Sequence, residues 1–201
     1  MNIPFFHIDI VSLVQTAGYI GLFAIIFAES GLFFGFFLPG DSLLFTAGLL
    51  ASQGFFNFYA LAVIFALAAI TGDNVGYLFG KKIGPKIWNR EDSFFFHKKH
   101  IERTHKFYEK YGNKTIVLAR FVPIVRTFAP ILAGVGEMEY KTFFKWNVVG
   151  GLLWSVGVSF LGFYLGNKIP NIEKYLFPII VAIIATSFLP IIFEFFRKNK
   201  K

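Results

Sequence analysis

Residues 10–28, 42–72, 146–167 and 175–193 carry no charged side chain, in runs of 19, 31, 22 and 19 residues. A helix crosses the ~30 Å hydrocarbon core of a bilayer with ~20 mostly apolar residues. Such runs constrain the chain more than any other feature, because in lipid every backbone polar group must be satisfied internally. The composition agrees: 55% of the residues are apolar, 20% aromatic and 16% charged, and the mean hydropathy is +0.59. Globular chains carry ~25% charged residues. An ordinary soluble domain is therefore disfavoured, and an aromatic-poor disordered chain is excluded. Without cysteine there is no disulfide and no thiolate metal site. The expectation is an all-α integral membrane protein forming a single membrane domain over residues 1–201.

The net charge is +8, and its placement matters more than its size. Ten of the 20 Lys and Arg fall within residues 81–114, and Arg197, Lys198, Lys200 and Lys201 close the chain. Basic residues gathered in loops and tails beside apolar runs mark cytoplasmic loops and contact with anionic headgroups, so nucleic acid is not expected as a partner. Residues 81–114 read as a basic cytoplasmic loop and residues 175–201 as a last helix with a basic cytoplasmic tail. The start of the chain lacks a positive n-region and a small-residue cleavage site, so residues 1–9 read as interfacial rather than as a signal peptide. The 31-residue run is too long for one simple span. Ser52-Gln53-Gly54 and Asn57 read as a turn at the membrane surface.

Two apolar stretches contain charges and helix breakers. Residues 29–39 are long enough as helix for half a bilayer, and Pro39-Gly40 then permits a reversal into residues 42–51. Residues 115–122 enter likewise, Pro123 and Pro130 break the helix, and residues 131–136 leave. Both stretches are expected to be re-entrant hairpins. On this path residues 10–28 go out, residues 55–80 come in, residues 146–167 go out and residues 175–193 return. Both termini are then cytoplasmic, and the hairpins enter from opposite faces.

An offset of 86 residues pairs Ala47-Gly48 with Ala133-Gly134, Gly76 with Gly162 and Gly80 with Gly166. It relates a first repeat, residues 29–84, to a second, residues 115–170, in inverted orientation. Secondary transporters use this pattern, with sites near the midplane between interrupted helices. The glycine stripe Gly72, Gly76, Gly80, Gly84 reads as helix packing.

Glu29, Asp41, Asp73, Arg120 and Arg126 lie inside apolar stretches, where each charge costs at least ~2.5–3.5 kcal/mol on insertion scales. They must meet one another, water or a charged ligand. The register of the repeat places Asp41 near Arg126. Paired arginines at broken-helix tips form a planar fork suited to phosphate. A neighbouring carboxylate supplies a group that takes up and releases protons. His97, His100 and His105 lie in the basic loop, away from these charges. No metal site, cofactor or enzymatic nucleophile is expected.

Phe27-Ala28-Glu29, Leu38-Pro39-Gly40-Asp41-Ser42 and Ala47-Gly48 resemble the first signature of the DedA family, also called the SNARE-associated or VTT-domain family. Gly72-Asp73-Asn74 with Gly76, Tyr77 and Gly80 is similar to its second. Ala119-Arg120-Phe121-Val122-Pro123 through Arg126, with Pro130 and Ala133-Gly134, is similar to its third, and Phe144, Asn147, Gly150 and Trp154 to its fourth. The resemblance implies a bacterial inner-membrane protein with two facing hairpins. It implies proton-motive-force-linked translocation of undecaprenyl phosphate, or a related phospholipid, in support of envelope integrity. It places the functional arginines at Arg120 and Arg126, the functional acids at Glu29 and Asp41, and an accessory acid at Asp73. A proton-coupled cation or drug antiporter is the competing expectation. The partners expected are the polyprenyl-phosphate or phospholipid substrate and membrane lipids.

Overall fold

The computed structural model describes residues 10–32, 35, 38–88, 114–169 and 178. Its helices are α1 (Ile10–Gly31), α2 (Gly40–Ser52), α3 (Phe58–Trp88), α4 (Thr115–Ala119), α5 (Pro123–Val135) and α6 (Tyr140–Lys168). No strand occurs among the described residues. Among the described residues, three stretches are long and apolar enough to cross a membrane: Val11–Gly31, Phe58–Gly84 and Tyr140–Lys168. The chain is an all-helical membrane protein. Residues 1–9, the loop histidines His97, His100 and His105, and the expected span and tail over residues 175–201, save Pro178, lie outside the described residues.

Helix α1 is divided at Gly18, whose φ of 57° and ψ of −167° suit glycine alone. Before the break, Val11, Leu13, Val14 and Ala17 pack inward while Ser12, Gln15 and Thr16 are exposed. After it, the Tyr19 hydroxyl accepts a hydrogen bond from the Asn57 N–H at 2.8 Å, and its ring meets Phe56 edge-on at 5.2 Å. At the other end, a Cβ on Gly31 would lie 2.7 Å from the Gly72 carbonyl oxygen. Tyr19 thus stands beside the start of α3 and Gly31 beside Gly72, so α1 and α3 run in the same direction.

This corrects the expected path, in which residues 10–28 and 55–80 cross in opposite senses. Gly31 stops level with Gly72, ~21 Å along α3 from Phe58 at 1.5 Å per residue. The start of α1 lies at the end of the bundle opposite Gly84, which removes the ground for placing residues 1–9 on the basic side. The physical reason lies in Glu29. A charge ending an apolar run suggests the membrane surface, yet Glu29 is fully buried and ion-paired. It marks depth.

The first descending arm is also corrected. It is residues 19–31, not a helix over residues 29–39. Beyond Gly31 the chain tightens into short-range bonds, with the Gly35 N–H donating to the Leu32 carbonyl at 2.8 Å and the Leu38 N–H to Gly35 at 2.9 Å. Pro39 precedes α2, which returns antiparallel to α1.

Helix α2 ends in a Schellman arrangement. The Gly54 N–H donates to Ala51 at 3.1 Å and the Phe55 N–H to Leu50 at 3.0 Å, with Gly54 at φ 81°. Asn57 then caps α3, its Oδ1 accepting from the Ala60 N–H at 3.0 Å. Helix α3 continues through residues 81–88, so the start of the expected basic loop is helical. Lys81 and Lys82 are exposed there, where long side chains reach the interface.

The second break falls at residues 120–122. Val122 is extended (φ −118°, ψ 107°), as a residue before proline prefers, and Pro123 opens α5. Pro130 does not break the helix, contrary to expectation; it lies inside α5. It faces Gly76, whose missing side chain leaves room for the ring, so packing against α3 holds α5 continuous.

Helix α5 runs with α3, bringing Ile131 to Gly80 and Val135 to Gly84. Helix α6 runs against α3, with Phe143 stacked on Tyr77 at 4.4 Å and Phe163 on Phe58 at 4.6 Å. Helix α2 lies along α6, where a Cβ on Gly48 would collide with the Ser159 carbonyl and one on Gly162 with that of Phe45. The α1–α2 hairpin therefore opens at the Asn57 end of the bundle and α5 emerges at the Gly84 end. Small residues at both contacts permit the close approach that drives helix association in lipid. The main apolar core joins Leu22, Ile26, Leu43, Leu44, Phe65 and Trp154, and a smaller one joins Tyr77, Ile116, Ala133 and Phe143.

Candidate functional site

The two helix breaks meet beside the middle of α3, at residues 69–73, and the five charged residues meet with them. The end of α1 supplies Glu29, the start of α2 Asp41 and the first turns of α5 Arg126. The Gly40 N–H donates to Glu29 Oε1 at 3.2 Å across the hairpin. Arg126 donates from Nη2 to that same Oε1 and from Nη1 to Asp41 Oδ1 at 2.8 Å. Its guanidinium joins two acids that are 12 residues apart in sequence, on either side of the tip.

Helix α6 closes this cluster with Trp154. The indole N–H donates to Asp41 Oδ1 at 2.7 Å. The Arg126 Cζ stands 4.6 Å from the ring centroid, over the face. Asp41 Oδ1 accordingly accepts from two donors on two other helices.

Arg120, at the end of α4, forms a second cluster. Its Nη2 donates to Asp73 Oδ2 on α3, to Asn147 Oδ1 on α6 at 2.5 Å and to the Ala69 carbonyl at 3.4 Å. Asn147 in turn donates from Nδ2 to the Ile70 carbonyl at 3.0 Å. The Arg120 stem lies against Gly150, where a Cβ would come 3.0 Å from Cδ.

The clusters differ in access. The Arg120 and Asp73 side chains are each 4% exposed, and Glu29 is fully buried. The Asp41 side chain is 21% exposed. Glu29 Oε2, Arg126 Nε, Thr127 Oγ1 and, in the other cluster, Arg120 Nε are buried with no hydrogen-bond partner. A buried pair of charges is retained only where hydrogen bonds offset its desolvation, and an apolar replacement is often as stable. The Arg120 cluster approaches that condition, with only Arg120 Nε left over. The Arg126 cluster keeps unused acceptor and donor capacity and is reached from Asp41, an arrangement that can exchange partners.

Thus Glu29, Asp41 and Arg126 lie together, and Asp73 lies with Arg120. Pro39 and Gly40 adjoin Glu29 at the first tip and Pro123 lies at the second, whereas Pro130 lies inside α5, flanking Gly76 together with the Gly31 carbonyl. The sequence places Asn147 and Trp154 in the fourth family signature but gives neither a partner. Their signal was modest: a carboxamide and an indole N–H within an uncharged run, each needing a partner.

The VTT domain family matches residues 38–164. Over 201 residues the chain is 45% identical to Protein DedA of Escherichia coli (strain K12), an alignment covering 96% of this chain and 91% of that protein. It is 42% identical over 187 residues to an uncharacterized membrane protein of Mycobacterium leprae (strain TN), covering 93% of this chain and 83% of that one. It is 34% identical over 161 residues to Inner membrane protein YqjA of Escherichia coli (strain K12), covering 78% of this chain and 71% of that one. No solved structure matches.

Proposed function

Because the chain belongs to the DedA family of VTT-domain membrane proteins, we propose that it carries a phosphate-bearing lipid between leaflets. The lipid is undecaprenyl phosphate or a related phospholipid, in a bacterial-type inner membrane, with residues 81–114 on the cytoplasmic side. The chain acts as a carrier, not an enzyme, and needs no cofactor. One observation supports this above others: Arg126 is held inside the helix bundle by two acids, and one of them, Asp41, is partly exposed. A phosphate arriving beside Asp41 meets a guanidinium whose present partners are carboxylates of the same charge, so the anions exchange without leaving the arginine bare. Glu29 and Asp41, released from Arg126, carry the proton coupling. Arg120, fixed by Asp73 and Asn147, adds positive potential behind the site.

The hairpins are re-entrant and the halves form an inverted repeat. The contacts of α2 along α6 and of α5 along α3 support this, since Gly48 and Gly134, 86 residues apart, occupy equivalent places in them. The start of α1 then lies on the outer side with Asn57. Alternating access between two repeats around a fixed midplane site is the associated mechanism.

The test is transport of phosphorylated lipids in liposomes, with and without a pH gradient. Wild-type protein should move polyprenyl phosphate, and Arg126→Lys should slow it about tenfold or more, since a point charge cannot reproduce two parallel donors. Normal turnover by Arg126→Lys rejects the reading. The antiporter reading is favoured by the count of three acids to two arginines in the core. It requires cation flux without phosphorylated lipid.

A further inference from the structure

Asp41 Oδ1 is the one atom on which both Arg126 Nη1 and Trp154 Nε1 converge, at 2.8 and 2.7 Å. The indole is 2% exposed and packed in the main core among Leu43, Leu44 and Ala47, so its N–H keeps its aim. Its ring face lies under the same guanidinium. Asp41 itself is only partly exposed. If an anion takes the Nη1 donor of Arg126, water alone cannot fully replace it around this carboxylate. An unpaired charge in such a place is costly. The indole N–H is already in position to keep Asp41 satisfied through that exchange.

We propose that Trp154 is a positioning residue for phosphate recognition, holding the Asp41 carboxylate in place while Arg126 passes from Asp41 to the phosphate. This rests on the phosphate-lipid reading and names a residue that eases the exchange. The ring presents Arg126, and the N–H anchors Asp41. The two contributions are separable, because phenylalanine keeps an aromatic face and lacks the donor.

The experiment is a double-mutant cycle on the full chain in detergent micelles. Binding of farnesyl phosphate is measured, with farnesol as the tail-only control and inorganic phosphate as the head-only control. Trp154→Phe should weaken farnesyl phosphate binding about tenfold, the usual scale for one hydrogen bond to a charged group. In the Asp41→Asn background the same substitution should change little, because no carboxylate then depends on the indole. Should Trp154→Phe fail to fold, the isostere β-(3-benzothienyl)alanine placed at position 154 keeps the shape and removes only the N–H. Unchanged affinity on losing the N–H overturns the proposal. So does an equal loss in both backgrounds, since that is the mark of packing alone. If wild-type protein binds farnesol as tightly as farnesyl phosphate, the phosphate reading itself falls and takes the exchange with it. If inorganic phosphate reproduces the cycle, the exchange stands and the headgroup alone is what the site recognises.

Discussion

Gly40 faces Glu29 so closely that its N–H donates to the carboxylate and a side chain at position 40 would occupy the space of the carboxyl group. The tip of the first hairpin is built around this pair. Gly40→Ala should therefore displace Glu29 from Arg126 and destabilise the protein by ~1–3 kcal/mol, the usual range for overpacking. Thermal unfolding in detergent measures it. Shortening the acid as well, in Gly40→Ala with Glu29→Asp, should recover part of the loss, and no recovery would mean that the strain lies elsewhere.

The Arg120 cluster behaves as a structural clasp. Arg120→Gln leaves Asp73 buried without its counter-charge, and removal of one partner of a buried pair costs ~3–5 kcal/mol. Adding Asp73→Asn should restore most of that stability. Expression level and unfolding temperature of the single and double variants read this out. A double variant as unstable as Arg120→Gln alone would assign the loss to the Asn147 and Ala69 contacts instead.

The direction of α1 is open to labelling, since the chain has no native cysteine. Cysteines replacing Gln15 and Gln53, both exposed, should react with a membrane-impermeant reagent from one side, and a cysteine replacing Lys82 from the other. A cysteine replacing Ser30, which is 5% exposed beside Gly72, should react from neither. Reaction at Gln15 from the Lys82 side would establish that α1 crosses completely.

Glycines at the two long contacts should be intolerant where a third is not. Gly48→Ala meets the Ser159 carbonyl and Gly134→Ala meets the Tyr77 carbonyl, so each should cost ~1–3 kcal/mol. A Cβ on Gly157, inside α6, would meet nothing within 4 Å. Gly157→Ala should be neutral or stabilising by up to ~1 kcal/mol through helix propensity. Unfolding temperatures of the three variants compare them directly.

Much of this arrangement was legible in the sequence because charge in an apolar run is rare. Glu29, Asp41, Asp73, Arg120 and Arg126 announce themselves by their surroundings, and the residue preceding Pro123 leaves helical geometry for a local reason. Direction was not legible. Residues 10–28 form an unbroken uncharged run, and only the backbone at Gly18 reveals that the run turns there. Pairing was legible in part. A repeat register brings Asp41 near Arg126, but the partnership of Asp73 with Arg120 crosses 47 positions and depends on how α3 and α4 lie in space. Trp154 and Asn147 were visible only as members of a signature, because a hydrogen-bond donor shows its purpose only once its acceptor is in place. Pro130 misled, since a proline breaks a helix only where no neighbour makes room for it.

The distribution of charge between the two halves also bears on how the protein is made. Among the described residues, the three acids of the two clusters, Glu29, Asp41 and Asp73, precede residue 88, and the two arginines that pair with them follow residue 114. The first half therefore leaves the ribosome with carboxylates that have no counter-charge, and the second half, though Asn147 and Trp154 contact its arginines, lacks the acids that pair with them. Each ion pair of the core joins an acid made early to an arginine made late, so these pairs close only once Arg120 and Arg126 have been synthesised.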